Sequence, residues 1–156
     1  MSIEKVRACF RPLGREQDIL EFPVSSATVE LAAEAVGVIP ARIAKTLSFL
    51  VDDSCVLIVA AGDARIDNKK YKGFFHAKAK MLTPEQVSAF TGHAIGGVCP
   101  FGNPPGVRTY LDVSLKRFDT VFPAAGSSNS AIELTCDELN EYSHSLGWID
   151  VCKDWE

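Results

Sequence analysis

Lys45-Thr46-Leu47-Ser48-Phe49-Leu50-Val51 and Cys55-Val56-Leu57-Ile58-Val59-Ala60-Ala61, separated only by Asp52-Asp53-Ser54, are the stretch on which the fold turns. Two apolar runs of strand length around a short polar break predict a hairpin of largely buried strands. Upstream, Ile3, Val6, Cys9, Phe10 and Leu13 recur at helical spacing and Gly14 closes the run. Ile19 to Val24 reads as a strand. Ser25-Ser26 offers caps for a helix through Val29, Leu31, Ala32, Ala35 and Val36, stopped by Gly37. Downstream, Thr83-Pro84-Glu85-Gln86 is a capping box opening a helix to about Gly92, and Thr135-Cys136-Asp137-Glu138 opens another to about Leu146. Arg108 to Val113, Thr120 to Ala124, Ala131 to Leu134 and Trp148 to Val151 have strand character. Hairpins and helices follow one another irregularly, which favours α+β over a doubly wound sheet.

The chain has 156 residues, 47% of them hydrophobic, enough for one substantial core, so residues 1–156 are read as a single domain. No apolar run of about 18 residues occurs, and Met1 to Arg7 lacks the apolar centre of a secretory signal. A soluble, cytoplasmic protein without membrane contact is therefore expected. The five cysteines, Cys9, Cys55, Cys99, Cys136 and Cys152, are scattered, with no Cys-x-x-Cys pair and no histidine placed to complete a metal cluster. Neither a disulfide framework nor a metal is indicated. The P-loop, dinucleotide, zinc-protease and Gly-x-Ser-x-Gly signatures are missing, so no cofactor is implied.

The net charge of −4 argues against a general nucleic-acid binder, yet the charge is uneven. Arg65, Lys69, Lys70, Lys72, Lys78 and Lys80 face Asp67 alone between residues 65 and 80, whereas seven acidic residues face only Lys153 from Glu133 onward. The basic stretch is either a solvated helix face or a confined surface for one segment of a polyanion.

His93-Ala94-Ile95-Gly96-Gly97-Val98-Cys99-Pro100-Phe101-Gly102 packs three glycines and a proline into an almost uncharged segment. Its backbone can approach a ligand closely, and Ile95, Val98 and Phe101 are apolar anchors that a flexible linker would not carry. Lys45, at the mouth of an apolar strand, is either a snorkelling surface residue or a cation set to meet a substrate anion or carbonyl. Ala125-Gly126-Ser127-Ser128-Asn129 is a small polar loop that leaves room and supplies short hydrogen bonds, as an ordinary turn also would.

Together, Ala44-Lys45-Thr46, Gly96-Gly97-Val98-Cys99-Pro100-Phe101-Gly102 and Ala125-Gly126-Ser127-Ser128-Asn129 resemble the aminoacyl-tRNA editing domains associated with prolyl-tRNA synthetase, the YbaK-like deacylases. The resemblance runs from the Ala32-Ala33 helix through the Asp137-Glu138-Leu139 helix. It implies a mixed, mainly antiparallel sheet wrapped by helices, and hydrolysis of the ester joining a wrong amino acid to tRNA, in trans on tRNA(Pro). Its partners would be the acceptor end of aminoacyl-tRNA and prolyl-tRNA synthetase. By the same resemblance Gly96, Gly97 and Pro100 belong to the loop that polarises the ester carbonyl, and Lys45 positions the terminal nucleotide or the carbonyl. Val98, Cys99, Phe101, Gly102, Gly126, Ser127 and Asn129 would line the substrate pocket. Ala131 stands where other branches carry an acidic residue or a histidine, so cysteine, alanine, serine and threonine all remain open as the edited amino acid.

Two rivals stay in view. Cys99 is either a buried filler or a nucleophile with His93 or His76 as base, and His93 reads as a surface or loop-capping residue. A module that captures aminoacyl-tRNA without turnover would use the same loop and lysine.

Overall fold

A computed structural model describes residues 2–93 and 98–155. The chain runs α1 (Ser2–Phe10), β1 (Leu20–Glu21), α2 (Val29–Val36), β2 (Ile43–Val51), β3 (Ser54–Ala61), β4 (Arg65–Ile66), α3 (Asn68–Phe75) and α4 (Pro84–Thr91). It continues with β5 (Arg108–Asp112), β6 (Thr120–Pro123), β7 (Ser130–Ala131), β8 (Leu134–Thr135), α5 (Cys136–Tyr142), β9 (Trp148–Ile149) and β10 (Cys152–Lys153). No described helix is long and apolar enough to cross a membrane.

The hairpin forms as expected and is the centre of the molecule. β2 and β3 pair antiparallel over eight registered pairs, from Ala44 with Ala61 to Val51 with Ser54. The connecting Asp52 and Asp53 both have positive φ, 50° and 62°. That is the twist of a type I′ turn, which suits the strands and which aspartate tolerates better than most side chains. Outward from the hairpin the six-stranded sheet reads β8-β6-β2-β3-β5-β9. The β2–β6, β3–β5 and β5–β9 pairs are parallel and β6–β8 is antiparallel. That sheet is therefore mixed, with three parallel and two antiparallel pairs among its described strands, and the longest pairing, β2–β3, is antiparallel; β1–β7 and β4–β10 are two separate short antiparallel ribbons.

β3 is closed on both faces, with Val56 to Ala60 fully buried. Pleating turns Phe49 and Val56 to one side and Ser48 and Leu57 to the other. α3 covers the first face, with Tyr71 tilted on Phe49 at 5.1 Å between ring centroids. α4, with Leu82 just before it, covers the second, where Leu82, Val87 and Phe90 pack with Cys55 and Leu57. α1 docks through Phe10, whose ring meets Phe101 at 5.0 Å and Tyr142 at 5.6 Å, both edge to face.

Several boundaries depart from the sequence expectation. The first helix tightens to a 3-10 turn over Arg11–Leu13 before Gly14. Thr28, not Ser25 or Ser26, caps α2, because Ser26 is bonded to Ser128 instead. Ala131 to Leu134 is broken in two, Ala131 pairing with Leu20 and Leu134 with Val121. α3 falls in the basic stretch for which a solvated helix face was one of two readings.

Asp112 ties the C-terminal end to the sheet. It is fully buried, and its carboxylate accepts hydrogen bonds from the backbone N–H of Ser114 (3.0 Å) and of Val151 (2.9 Å). Asp112→Ala leaves two buried donors unpaired, at about 1–3 kcal/mol each. Urea denaturation is expected to show a loss of about 2–5 kcal/mol, with faster amide exchange at Val151.

Candidate active site

Register builds the site around Lys45. This residue lies opposite Ala60 on β3, and the parallel pairing of Ala44 with Pro123, continued by one residue, sets it beside Ala124. Ala124 in turn bridges Ala131. One row across the sheet therefore carries Ala60, Lys45, Ala124 and Ala131 on a common face, with only methyl groups flanking the lysine.

The Lys45 ammonium donates to the carbonyl of Ala64 and, at 3.4 Å, to that of Gly62. Gly62 is required there: a Cβ would stand 2.1 Å from the Pro40 carbonyl oxygen and 2.7 Å from Val29 Cγ1. Half-burial lowers the Lys45 pKa from its ordinary value by desolvation, opposed in part by the charge of Asp63. Among the described residues no carboxylate forms an ion pair with Lys45. Arg117 holds Asp63 in a two-pronged contact at 2.6 and 3.0 Å and depresses its pKa. The lysine charge is thus seated on neutral carbonyls, and Asp63 acts on it without forming an ion pair. Sequence reasoning found Lys45 but missed Gly62, Ala64 and Arg117; the Ala61-Gly62-Asp63 break at the strand end was the only local signal.

The small polar loop follows directly from β6. Gly126 is buried with φ 96°, a conformation glycine adopts freely. The Ser127 hydroxyl lies 2.9 Å from Asn129 Oδ1 and 2.6 Å from the Ser130 hydroxyl. Asn129 Nδ2 donates to the Phe22 carbonyl at 3.0 Å, and the Phe22 N–H returns a bond to the Asn129 carbonyl at 2.8 Å. Asn129, grouped by the sequence with the pocket residues, therefore pins the chain entering α2.

Ala94, Ile95, Gly96 and Gly97 lie outside the described residues; His93 and Val98 to Gly102 are placed. Val98 is half-buried against the Leu57 and Leu82 cluster, and Pro100 is buried. Cys99 and Phe101 are sealed in the main core at 0% and 1% exposure. Gly102 turns the chain with φ 69°. His93, read from the sequence as surface or loop-capping, is fully buried and closes the loop. Its Nε2 donates to the Phe101 carbonyl at 2.8 Å, joining the two ends of the segment.

Cys99 Sγ is 3.6 Å from His93 Nε2 and 3.5 Å from the Phe101 carbonyl oxygen. Proximity does not make this a nucleophile and base. Burial pushes the Cys99 pKa up to about 12 and lowers that of His93, so the thiol and the neutral imidazole are the stable forms. The filler reading of Cys99 fits this geometry. A cavity of about 730 Å³ between α1, the 100–109 loop and α5 has Pro100 and Gly102 of the glycine-rich loop on its walls but neither Lys45 nor Ser127.

The sequence profile of the aminoacyl-tRNA editing domain matches residues 24–142, which contain Lys45, the glycine-rich loop and the Gly126 turn. The chain belongs to this family. The uncharacterised protein YwhH of Bacillus subtilis (strain 168) is 62% identical over 157 residues, covering all of both chains. A candidate Cys-tRNA(Pro)/Cys-tRNA(Cys) deacylase, EbsC of Enterococcus faecalis, is 31% identical over 72% of this chain and 70% of its own. A proline–tRNA ligase of Nitratidesulfovibrio vulgaris is 33% identical over 69% of this chain, a stretch that makes up only 19% of the ligase. The crystal structure of a candidate trans-editing enzyme for prolyl-tRNA synthetase superposes with a TM-score of 0.86 at 29% identity, covering 97% of each chain.

The buried imidazole gives this editing domain a pH signature. With its folded pKa depressed, His93 contributes fully to stability above its unfolded value of about 6.5 and progressively less below it, because the unfolded chain takes up the proton first. Between pH 7 and 5, wild-type protein is expected to lose more unfolding free energy than His93→Gln, as read by urea titration.

Proposed function

We propose that this chain hydrolyses the ester of mischarged aminoacyl-tRNA, acting in trans on tRNA(Pro). The observation that carries the proposal is the Lys45 ammonium, seated on two backbone carbonyls in a row of alanines. A fixed cation of this kind meets the terminal nucleotide or the polarised ester, and it costs no reorganisation when the substrate arrives. Water adds to the ester carbonyl, the bond to the ribose oxygen breaks, and the products are the free amino acid and the tRNA hydroxyl.

In this reading Gly96, Gly97 and Pro100 shape the backbone that stabilises the developing oxyanion, as the family resemblance implies. Val98, Gly102, Gly126 and Ser127 border the pocket. Cys99 and Phe101 act from behind, anchoring the loop in the core, and Asn129 acts by holding the chain at Phe22. The methyl-lined row favours a small amino acid, and the ligase and EbsC likenesses support a place beside prolyl-tRNA synthetase. Size alone discriminates by about 1–3 kcal/mol per methylene, so a short list of small substrates is the fitting expectation.

The test is a panel of tRNA(Pro) molecules charged with alanine, cysteine, serine or threonine. Wild-type protein is expected to deacylate at least one, and Lys45→Ala to lose about 100-fold in rate while its circular dichroism stays native. Full activity in Lys45→Ala overturns the reading, and binding without turnover above the buffer rate assigns a capture module instead. Cys99→Ala is expected to keep the wild-type rate, because a thiol with a pKa near 12 supplies no nucleophile at neutral pH.

A further inference from the structure

α3 and the turn after it form a groove of about 400 Å³ lined by Asn68, Lys69, Lys72, Lys78 and Ala79. Lys69 and Lys72 are three residues apart on the helix and so point the same way, while Lys78 closes the groove from the following loop. All three are exposed, and none forms an ion pair among the described residues. The nearby charges are accounted for elsewhere. Lys70 turns away to Asp150 (3.0 Å) and to the Cys152 carbonyl (3.1 Å). Asp67 spends its carboxylate on the helix N-terminus, accepting from the N–H groups of Lys69 (2.9 Å) and Lys70 (3.1 Å). On a chain of net charge −4, this leaves three unpaired cations converging on one groove.

The groove is joined to the candidate active site through β2. Lys45 and Phe49 are four residues apart on one face of that strand, and Phe49 is where α3 docks through Tyr71. Four strand residues span about 13 Å, which is roughly four base-pair steps along the axis of a nucleic-acid duplex. Ala64, whose carbonyl holds Lys45, is also four residues before α3 begins.

We propose that the Lys69–Lys72–Lys78 groove binds the sugar-phosphate backbone of an RNA whose aminoacylated end reaches Lys45, one cation to each of about three phosphates. The proposal rests on the deacylase reading for the identity of that RNA as tRNA, but it concerns binding and not hydrolysis. Phosphate contacts of this kind carry no base information and supply salt-dependent affinity and register. They complement a site that judges the amino acid.

The probe is an uncharged tRNA(Pro) transcript, with its dissociation constant measured against salt concentration. Each of Lys69→Ala, Lys72→Ala and Lys78→Ala is expected to lower the slope of log Kd against log salt by about one, and the triple variant by about three. The triple variant is also expected to weaken binding about tenfold or more at low salt. Lys116→Ala, a cation outside the groove, matches each single variant in charge and keeps the wild-type slope. The single changes are all at exposed positions, so they decide the question even if the triple variant folds poorly. An unchanged slope in the variants, or a wild-type protein that does not bind the transcript, overturns the proposal. So does low-salt self-association that the variants abolish without a change in tRNA slope, which would assign the groove to the acidic C-terminal part of a second copy. Wild-type binding with the predicted slopes but no hydrolysis of any mischarged tRNA supports the groove and refutes the deacylase reading, so the two fail separately.

Discussion

A strand shut off from water on both sides governs this structure. Every backbone group of β3 has to be paired and every side chain covered, because an unpaired polar group at that depth costs about as much as a lost hydrogen bond. β2 and β5 meet the first demand from either edge, and α3 and α4 meet the second from either face. The two-residue turn at Asp52-Asp53 then fixes register. A slip by one residue would carry Lys45 through the sheet to the α4 side, away from Ala124, Ala131 and the basic helix. Chemistry and core packing are thus coupled through one hairpin.

That coupling explains what the amino-acid order made legible. Periodicity and capping are local, so the hairpin, the Thr83 and Thr135 capping boxes and the Gly37 and Gly92 helix stops could be read directly. α3 was ambiguous because its apolar positions, Tyr71, Phe74 and Phe75, span a single turn among three lysines and a glycine, and of them only Tyr71 is buried. The break between Ala131 and Leu134 was hidden for a different reason. Each half pairs with a strand far away in sequence, Leu20 for one and Val121 for the other, and no local pattern records that choice.

The site divides along the same line. Lys45 stood out because a cation interrupts an apolar run. Its carbonyl seat did not, since Gly62 and Ala64 contribute main-chain atoms that every residue possesses. Nor did the role of Arg117, which lies 54 residues from Asp63 in the chain and holds that carboxylate in a two-pronged contact of its own. Holding an amine partly desolvated without an ion-pair partner stores an electrostatic potential that an incoming anion or polarised carbonyl can relieve. Of the two readings of His93, the loop-capping one fits and the surface one does not, because one histidine in a loop looks alike whether it faces water or closes the loop from within.

The burial of the thiols has a consequence for how this protein ages. Oxidants attack thiolates, and at neutral pH a group with a pKa near 12 is ionised to roughly one part in 10⁵. Cys99 and Cys152 both sit at that value and are sealed from solvent, and Cys55 is raised to about 11. Cys9 is the exposed exception, on α1 and outside the matched editing region. Peroxide would therefore meet the exposed Cys9 sulfur before it reached the one behind the glycine-rich loop, so the packing that supports this loop is shielded from oxidants that reach the surface.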